Sequence, residues 1–248
     1  MTAPVWADVQ PEIDRHLPGP RARRWWLVGL VLLISYNTWV WIVPVNGHPA
    51  IVNGYLSELS ASDQPHDLFF RFGDGLSAVL VAVIGVVGWR RWPALATCQG
   101  AGRRSVRWWR AAACFLLLFA LATGLDAVTA MDCSPTLSTA CRTAEADGQL
   151  SWAHYLHTPT SIAAQTGIVG SMVAAALAER PRRVVARRGL LWVLVAVEVL
   201  GLAVMMIMLA AGLPGIGYPQ AVMVTVASVW FAVAAVAARP RSARGSRP

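Results

Sequence analysis

Residues 187–211 read RRGLLWVLVAVEVLGLAVMMIMLAA, which is an arginine pair followed by an apolar stretch that only Glu198 interrupts. The hydrocarbon core of a bilayer is about 30 Å thick, and a helix rising about 1.5 Å per residue crosses it in about 20 residues. The stretch therefore predicts a transmembrane helix that begins at a positively charged end. Such charge is retained on the cytoplasmic side of a membrane.

The same pattern of arginines and apolar stretches recurs along the chain. Nineteen of the 21 arginines fall in four blocks, and six apolar stretches lie between the blocks. The predicted spans are about 25–44, 68–89, 108–130, 155–178, 190–211 and 219–238. We therefore expect an all-α fold, a polytopic integral membrane protein that forms a six-transmembrane-helix bundle with both termini in the cytoplasm.

The regions outside this 25–238 domain are two tails. Residues 1–24 are expected to form a cytoplasmic N-terminal tail, and residues 239–248, which contain only Arg, Ser, Gly, Ala and Pro, a disordered basic C-terminal tail. The first span has a long apolar part with no small-residue cleavage site after it, so we expect it to remain uncleaved.

Composition excludes several classes of protein. With 56% hydrophobic residues and a mean hydropathy of +0.51, the chain is not a soluble domain. The formal charge of +8 comes from arginines next to tryptophans at the predicted membrane boundary, so the expected partner is a bilayer with anionic headgroups at its cytoplasmic face and not a nucleic acid. No lysine is present, which excludes a Schiff base to retinal or pyridoxal. The pattern indicates no particular protein partner.

The cysteines support this topology. Cys133 and Cys141 lie in the loop after the third span, which is expected to be outside, where disulfides persist. Their separation suits a small closed loop, and the alternative is two reduced thiols in an unstructured loop. Cys98 and Cys114 are expected to be free thiols.

Polar residues within membrane spans are costly and therefore indicate function. In the fourth span a polar row recurs at three- and four-residue steps, which places it on one helix face. This row is His154, His157, Thr158, Ser161 and Gln165. A row of small residues at four-residue spacing lies roughly opposite, where it would let a second backbone approach closely. The small row is Ala163, Gly167, Ser171 and Ala175.

Three other spans contribute charged groups. Arg71 and Asp74 lie near the outer end of the second span and Asp126 near that of the third, so Arg71 is expected to pair with Asp74 or with Asp126. Glu198 lies near the middle of the fifth span, where a charge costs about 3 kcal/mol, and Gln165 at the same depth is its expected hydrogen-bond partner. A role in carrying protons is the alternative for Glu198.

These residues, together with those of the two long outer loops, suggest an outer-facing polar pocket. The candidate pocket residues are Ser57, Glu58, Arg71, Asp74, Asp126, Asp132, His154, His157, Ser161, Gln165 and Glu198. His154 and His157, three residues apart on one helix face, could bind zinc with Asp74 as a third ligand. The alternatives are a structural polar cluster, recognition of a ligand, and a serine nucleophile at Ser57 or Ser161 beside a histidine.

Four segments together resemble a known family. They are YLSELS at 55–60, FFRFGD at 69–74, DCS at 132–134 with Cys141, and SWAHYLHT at 151–158. They resemble the bacterial membrane protein family catalogued as domain of unknown function 998, over residues 25–238. The resemblance implies a compact six-helix bundle in which Ser57, Glu58, Asp74, Asp132 and His157 belong to recurring motifs, but it implies no activity. A looser likeness to the alkaline ceramidase and adiponectin-receptor hydrolases implies a serine, an aspartate and histidines around zinc; here the chain has six spans rather than seven and HxxH rather than HxxxH.

Three functions remain open from the sequence. The first is a multi-pass protein of a bacterial plasma membrane whose outer pocket binds a lipid headgroup, a small ligand or a partner. The second is a metal-dependent membrane hydrolase acting on a lipid at the outer leaflet. The third is a proton- or ion-coupled carrier, which would need a continuous polar path from Glu198 to both faces of the membrane. The sequence specifies no cofactor beyond the possible zinc ion.

Overall fold

The fold was analysed in a computed structural model that describes residues 20–98, 100–179 and 185–238, without the side chains of residues 20–23 and 185–187. Most of the predicted N-terminal tail and all of the predicted C-terminal tail lie outside the described residues. Within the described residues the chain is helical and contains no strand.

Seven α-helices make up the described structure. They are α1 (Pro20–Ser35), α2 (Asp67–Cys98), α3 (Arg103–Val128), α4 (Thr139–Ala146), α5 (Trp152–Ala178), α6 (Val185–Ala210) and α7 (Gly217–Ala238). Five of them, α2, α3, α5, α6 and α7, are long and apolar enough to cross a membrane, and the first predicted span makes a sixth if its two bent parts are counted together. The predicted all-α membrane bundle is thus confirmed, with five to six candidate spans where six were predicted.

The first span differs from the expected single helix over 25–44. After α1 the chain bends by 50° and continues as a 3₁₀ turn at Thr38–Trp41 and a π turn at Ile42–Asn46. The side-chain amide of Asn37 donates to the Leu33 carbonyl at 2.8 Å and to the Ser228 hydroxyl of α7 at 2.7 Å. Side-chain bonds to nearby backbone compete with the regular helical pattern, which explains a break at this position.

The long loops meet at one end of the bundle, here called the loop end, which carries residues 47–66 and 129–151. The other end, called the arginine end, carries described arginines of α1, α2, α3 and α6, which are Arg24, Arg90, Arg91, Arg103, Arg104, Arg107, Arg110 and Arg188. At the loop end the Ser62 N–H donates to the Met131 carbonyl at 2.8 Å, which joins the two loops. A disulfide links Cys133 to Cys141 with 6.0 Å between their Cα atoms, as predicted, and α4 begins inside this closed loop.

Helices α3 and α5 form the centre of the bundle. Gly167 of the predicted small-residue row lies against α3 so closely that a Cβ atom there would stand 2.7 Å from the Phe115 carbonyl oxygen. Ser171 of the same row accepts a hydrogen bond at 2.8 Å from the Trp230 ring of α7, and Phe119 and Phe231 stack with ring centroids 4.6 Å apart. Helix α6 is peripheral, since only 17% of its apolar stretch is buried, against 39–50% for the other four spans.

Candidate ligand cavity

A cavity of about 850 Å³ lies beneath the loop end of the bundle. Its wall is formed by the bend of the first span, the turn at Leu56–Ser60, and α2, α3, α5, α6 and α7. Seven predicted pocket residues line it. They are Ser57 of the turn, Asp74 of α2, Asp126 of α3, His157, Ser161 and Gln165 of α5, and Glu198 of α6.

His157 connects three polar groups at one side of the cavity. Its Nε2 lies 2.9 Å from the Ser57 hydroxyl and 3.3 Å from that of Ser161, and its Nδ1 lies 3.5 Å from Asp126. With its proton on Nδ1, facing Asp126, a neutral His157 accepts a hydrogen bond from Ser57 at Nε2. Asp126 in turn accepts a hydrogen bond from Thr160. The polar row in the fourth predicted span placed His157 and Ser161 on one helix face, and the structure adds Ser57 from a loop distant in sequence.

Glu198 lies at the deep end of the cavity. Its side chain is fully buried and accepts a hydrogen bond from the Gln165 amide at 2.9 Å, which confirms the predicted pair. The second carboxylate oxygen, Oε2, is also buried and has no hydrogen-bond partner among the described residues. A buried polar atom without a partner is rare, because it has lost water and gained nothing in exchange.

Asp74 is a second carboxylate with oxygen atoms that accept no hydrogen bond within the described residues. It is half-buried on α2, and within the described part of the chain no hydrogen bond or ion pair engages its side chain. Asp126 and His157 are its electrostatic neighbours. The cavity therefore contains two carboxylates, Asp74 and Glu198, that still have acceptor atoms available.

The rest of the wall is mainly apolar and reaches the surface of the bundle. Met206 and Leu209 of α6 and Ile162 of α5 line the cavity and are 51%, 43% and 63% exposed. These side chains lie on helices long enough to cross a membrane. The cavity is thus bordered by exposed apolar side chains of α5 and α6 and by polar groups of the Leu56–Ser60 turn, α2, α3, α5 and α6.

The structure places Arg71 away from this cavity and gives it a different partner from the predicted one. Its guanidinium pairs with Asp67 at 3.5 Å and donates to the Ala127 carbonyl at 3.0 Å. Neither Asp74 nor Asp126 is its partner. Asp67 lies one helical turn before Arg71, and a helical side chain tilts toward the N-terminus, so the guanidinium reaches Asp67 while carbonyls at the end of α3 accept from its remaining donors.

Glu58 also lies outside the cavity, although Ser57 beside it is part of the wall. The buried Glu58 carboxylate accepts hydrogen bonds from the Ser134 hydroxyl, from the backbone and side chain of Thr136, and from the Tyr55 N–H. It therefore joins the first loop to the disulfide loop. Gly54 is required next to it, because a Cβ atom there would overlap the Thr136 side chain.

Asp132 and His154 likewise have structural contacts at the start of α5. Asp132 accepts the Ser151 N–H at 2.6 Å and the Ser151 hydroxyl at 2.7 Å. These bonds, together with the nearby His154, lower the pKa of the Asp132 carboxyl below its usual value. His154 is buried, accepts the Asp132 N–H at 3.3 Å on Nδ1, and faces Glu145 at 3.5 Å with Nε2.

The expected zinc ligands are not grouped in this arrangement. His154 bonds within the loop end and His157 faces Ser57 and Asp126, so the two rings serve different clusters. Within the described residues, no group of three or more His, Cys, Asp or Glu side chains is placed to hold a metal ion. This geometry gives the metal-dependent mechanism no support.

The sequence analysis missed several residues of the wall. Gln220 of α7 accepts the Leu56 N–H at 2.7 Å and so holds the turn that carries Ser57. Tyr36, at the bend of the first span, lines the cavity and is an electrostatic neighbour of Asp74, Asp126 and Glu198. A polar residue at the start of the last span was a signal for Gln220, whereas nothing in the sequence indicated the bend that positions Tyr36.

Comparison with known proteins gives one match. The model of the family described as "Protein of unknown function (DUF998)" matches residues 27–237 of the chain. No curated protein and no solved structure matches the chain.

Proposed function

Because this chain belongs to the DUF998 family, whose function is unknown, we propose a function from the cavity itself: the protein binds an amphipathic lipid or lipid-like ligand within its membrane domain. The observation that carries the proposal is a single cavity of about 850 Å³ that combines polar groups with an apolar wall. Ligand sites are typically concave, mostly apolar, and oriented by a few polar groups.

The two parts of the wall suggest how such a ligand would lie. Its headgroup would occupy the side formed by Ser57, Asp74 and His157, where hydrogen-bonding atoms line the cavity. Its apolar chain would lie along Met206 and Leu209, which are exposed on the lightly packed helix α6. A lipid could then enter sideways between α5 and α6 without crossing the polar loops.

The alternatives from the sequence have less support. A carrier would need a path from Glu198 to both ends of the bundle, but the described wall of this cavity extends from the loop end only as far as Glu198 and Gly170. A metal-dependent hydrolase would need a ligand set, and none is grouped in the described residues. Ligand binding requires neither feature.

We also propose the setting in which this binding takes place. The loop end would face the outside of a bacterial plasma membrane, since it carries the disulfide, and disulfides persist in oxidising compartments. The arginine end would lie against anionic headgroups of the cytoplasmic leaflet.

Native mass spectrometry of the detergent-purified protein tests lipid binding. We expect one tightly held lipid per chain in the wild type, and lower occupancy in Leu202→Trp from an affinity about tenfold weaker, which corresponds to about 1.4 kcal/mol of binding free energy. Leu202 lines the cavity and is half-buried on α6, so an indole there would fill space that the ligand needs.

Leu200→Trp is the matched control. Leu200 lies two residues away on the same helix, is 64% exposed, and does not line the cavity. The proposal predicts wild-type lipid occupancy in this variant. Equal occupancy in both tryptophan variants, or a wild type that binds neither a lipid nor a lipid-like amphiphile, would rule the proposal out.

A further inference from the structure

The charged groups of the cavity are almost all acidic. Asp74, Asp126 and Glu198 line it, and no arginine does. Among the described residues, His157 is the only lining side chain that can carry positive charge, and it faces Asp126 at 3.5 Å. Even with His157 protonated and paired, two of the three carboxylates have no cationic partner in the wall.

Two acceptor groups of this wall lack donors. Glu198 Oε2 is buried without a hydrogen-bond partner, and the Asp74 side chain has none within the described residues. Asp74 lies on α2 and Glu198 on α6, and both line the same cavity. A ligand that brings hydrogen-bond donors or positive charge would satisfy these oxygens, whereas an anionic headgroup would add like charge to an already acidic site.

Aromatic side chains line the cavity together with the acidic groups. Tyr36, Trp39, Tyr55, Phe70 and Phe115 all line the cavity. The faces of such rings attract organic cations, including quaternary ammonium groups that cannot donate hydrogen bonds. Tyr36 lines the same cavity as Asp74, Asp126 and Glu198 and is an electrostatic neighbour of all three.

From these observations we propose that the ligand is cationic: an organic ammonium with an apolar chain, whose charged head lies among Asp74, Asp126 and Glu198 and the rings around them. The inference rests on the proposed binding function and specifies the class of ligand. A free amphipathic amine and a lipid with an amine-bearing headgroup share this chemistry. An anionic lipid does not.

Three probes with the same eight-carbon chain test the charge preference. Radiolabelled octyltrimethylammonium, octanol and octanesulfonate are titrated onto the full-length protein in nanodiscs of zwitterionic phosphatidylcholine. We expect the ammonium probe to bind at least about tenfold more tightly than the other two. This preference should also weaken as salt is raised, because part of it is electrostatic.

Asp74→Asn is the first variant, because the change removes a charge without removing any hydrogen bond of the described structure. It should weaken binding of the ammonium probe about tenfold and leave octanol binding unchanged. Glu198→Gln is the second variant and should have the same effect. Asp147→Asn, in the exposed loop after α4, is the matched control and should bind like the wild type.

The outcomes separate the two proposals. Equal binding of octanol and the ammonium probe, with no effect of Asp74→Asn, would overturn the cationic class while the binding function stands. Tighter binding of octanesulfonate would overturn it as well. If none of the three probes binds and no lipid is retained in native mass spectrometry, the binding function itself is wrong. If the ammonium probe binds but no lipid is retained in native mass spectrometry, the natural ligand is a free amphipathic amine. If an amine-bearing lipid appears in the mass spectrum, the natural ligand is that lipid and its headgroup supplies the charge.

Discussion

Asn37 is the residue that joins the two parts of the first span to the rest of the bundle. Its amide donates to the Leu33 carbonyl and to Ser228, and its oxygen accepts from Thr225 at 2.9 Å. We expect Asn37→Ala to lower the free energy of unfolding by about 2 kcal/mol, because it leaves polar groups of the helix interface without partners. Thermal unfolding of the purified protein in detergent measures the effect.

Asn53→Ala is the control for this substitution, since Asn53 is exposed in the loop after the bend. It should leave the unfolding temperature within error of the wild type. If Asn37→Ala unfolds at the same temperature as Asn53→Ala, the bend does not depend on Asn37.

A pair of interacting residues could be predicted from the sequence where depth in the membrane determined which residues meet. Glu198 and Gln165 could be matched by counting residues from opposite ends of two spans, and the structure confirms their hydrogen bond. Arg71 was assigned the wrong partner because Asp67, four residues before it, and Asp74, three residues after it, lie on the same helix, and only side-chain geometry decides between them. Periodicity placed His157 on the polar face of α5, but the pairing with Ser57 depends on how a distant loop folds back.

At the scale of elements, the start of α5 depends on an ionised carboxylate. Asp132 accepts two hydrogen bonds from Ser151, and its pKa lies below the ordinary value of about 3.9. A lowered pKa means that the stabilisation is fully present above the unfolded pKa and is lost as pH falls through the folded one. We expect Asp132→Asn to unfold at a lower temperature than the wild type at neutral pH and at nearly the same temperature near pH 2.

Asp147→Asn is a suitable comparison, because Asp147 is exposed in the same loop and its side chain holds no helix end. Its unfolding temperature should follow the wild type at both pH values. A difference between Asp132→Asn and the wild type that persists undiminished in acid would show that the charge of Asp132 is not the cause.

The long spans could be predicted from sequence, whereas the short elements could not. Apolar length and flanking arginines define α2, α3, α5, α6 and α7 because the thickness of a bilayer fixes how many residues a helix needs. The bend after Ser35 has no such signal, since its cause is a set of side-chain bonds to another helix. Helix α4 depends on loop closure by the disulfide and on capping by Ser138, whose hydroxyl accepts the Cys141 N–H at 3.1 Å.

The orientation of the whole molecule is the remaining step between this fold and the proposed binding from the outer leaflet. Cys98 is an exposed free thiol at the end of α2, beside the arginine blocks, and Cys133 and Cys141 are joined at the opposite end. In a Cys114→Ser background, an impermeant maleimide should leave Cys98 unlabelled in intact cells and label it once the membrane is opened. After mild reduction, Cys133 and Cys141 should react in intact cells, because the loop end faces outward in the proposed orientation. Labelling of Cys98 in intact cells would show that the protein has the opposite orientation. The cavity would then lie on the cytoplasmic side, and the ligand would have to come from the inner leaflet.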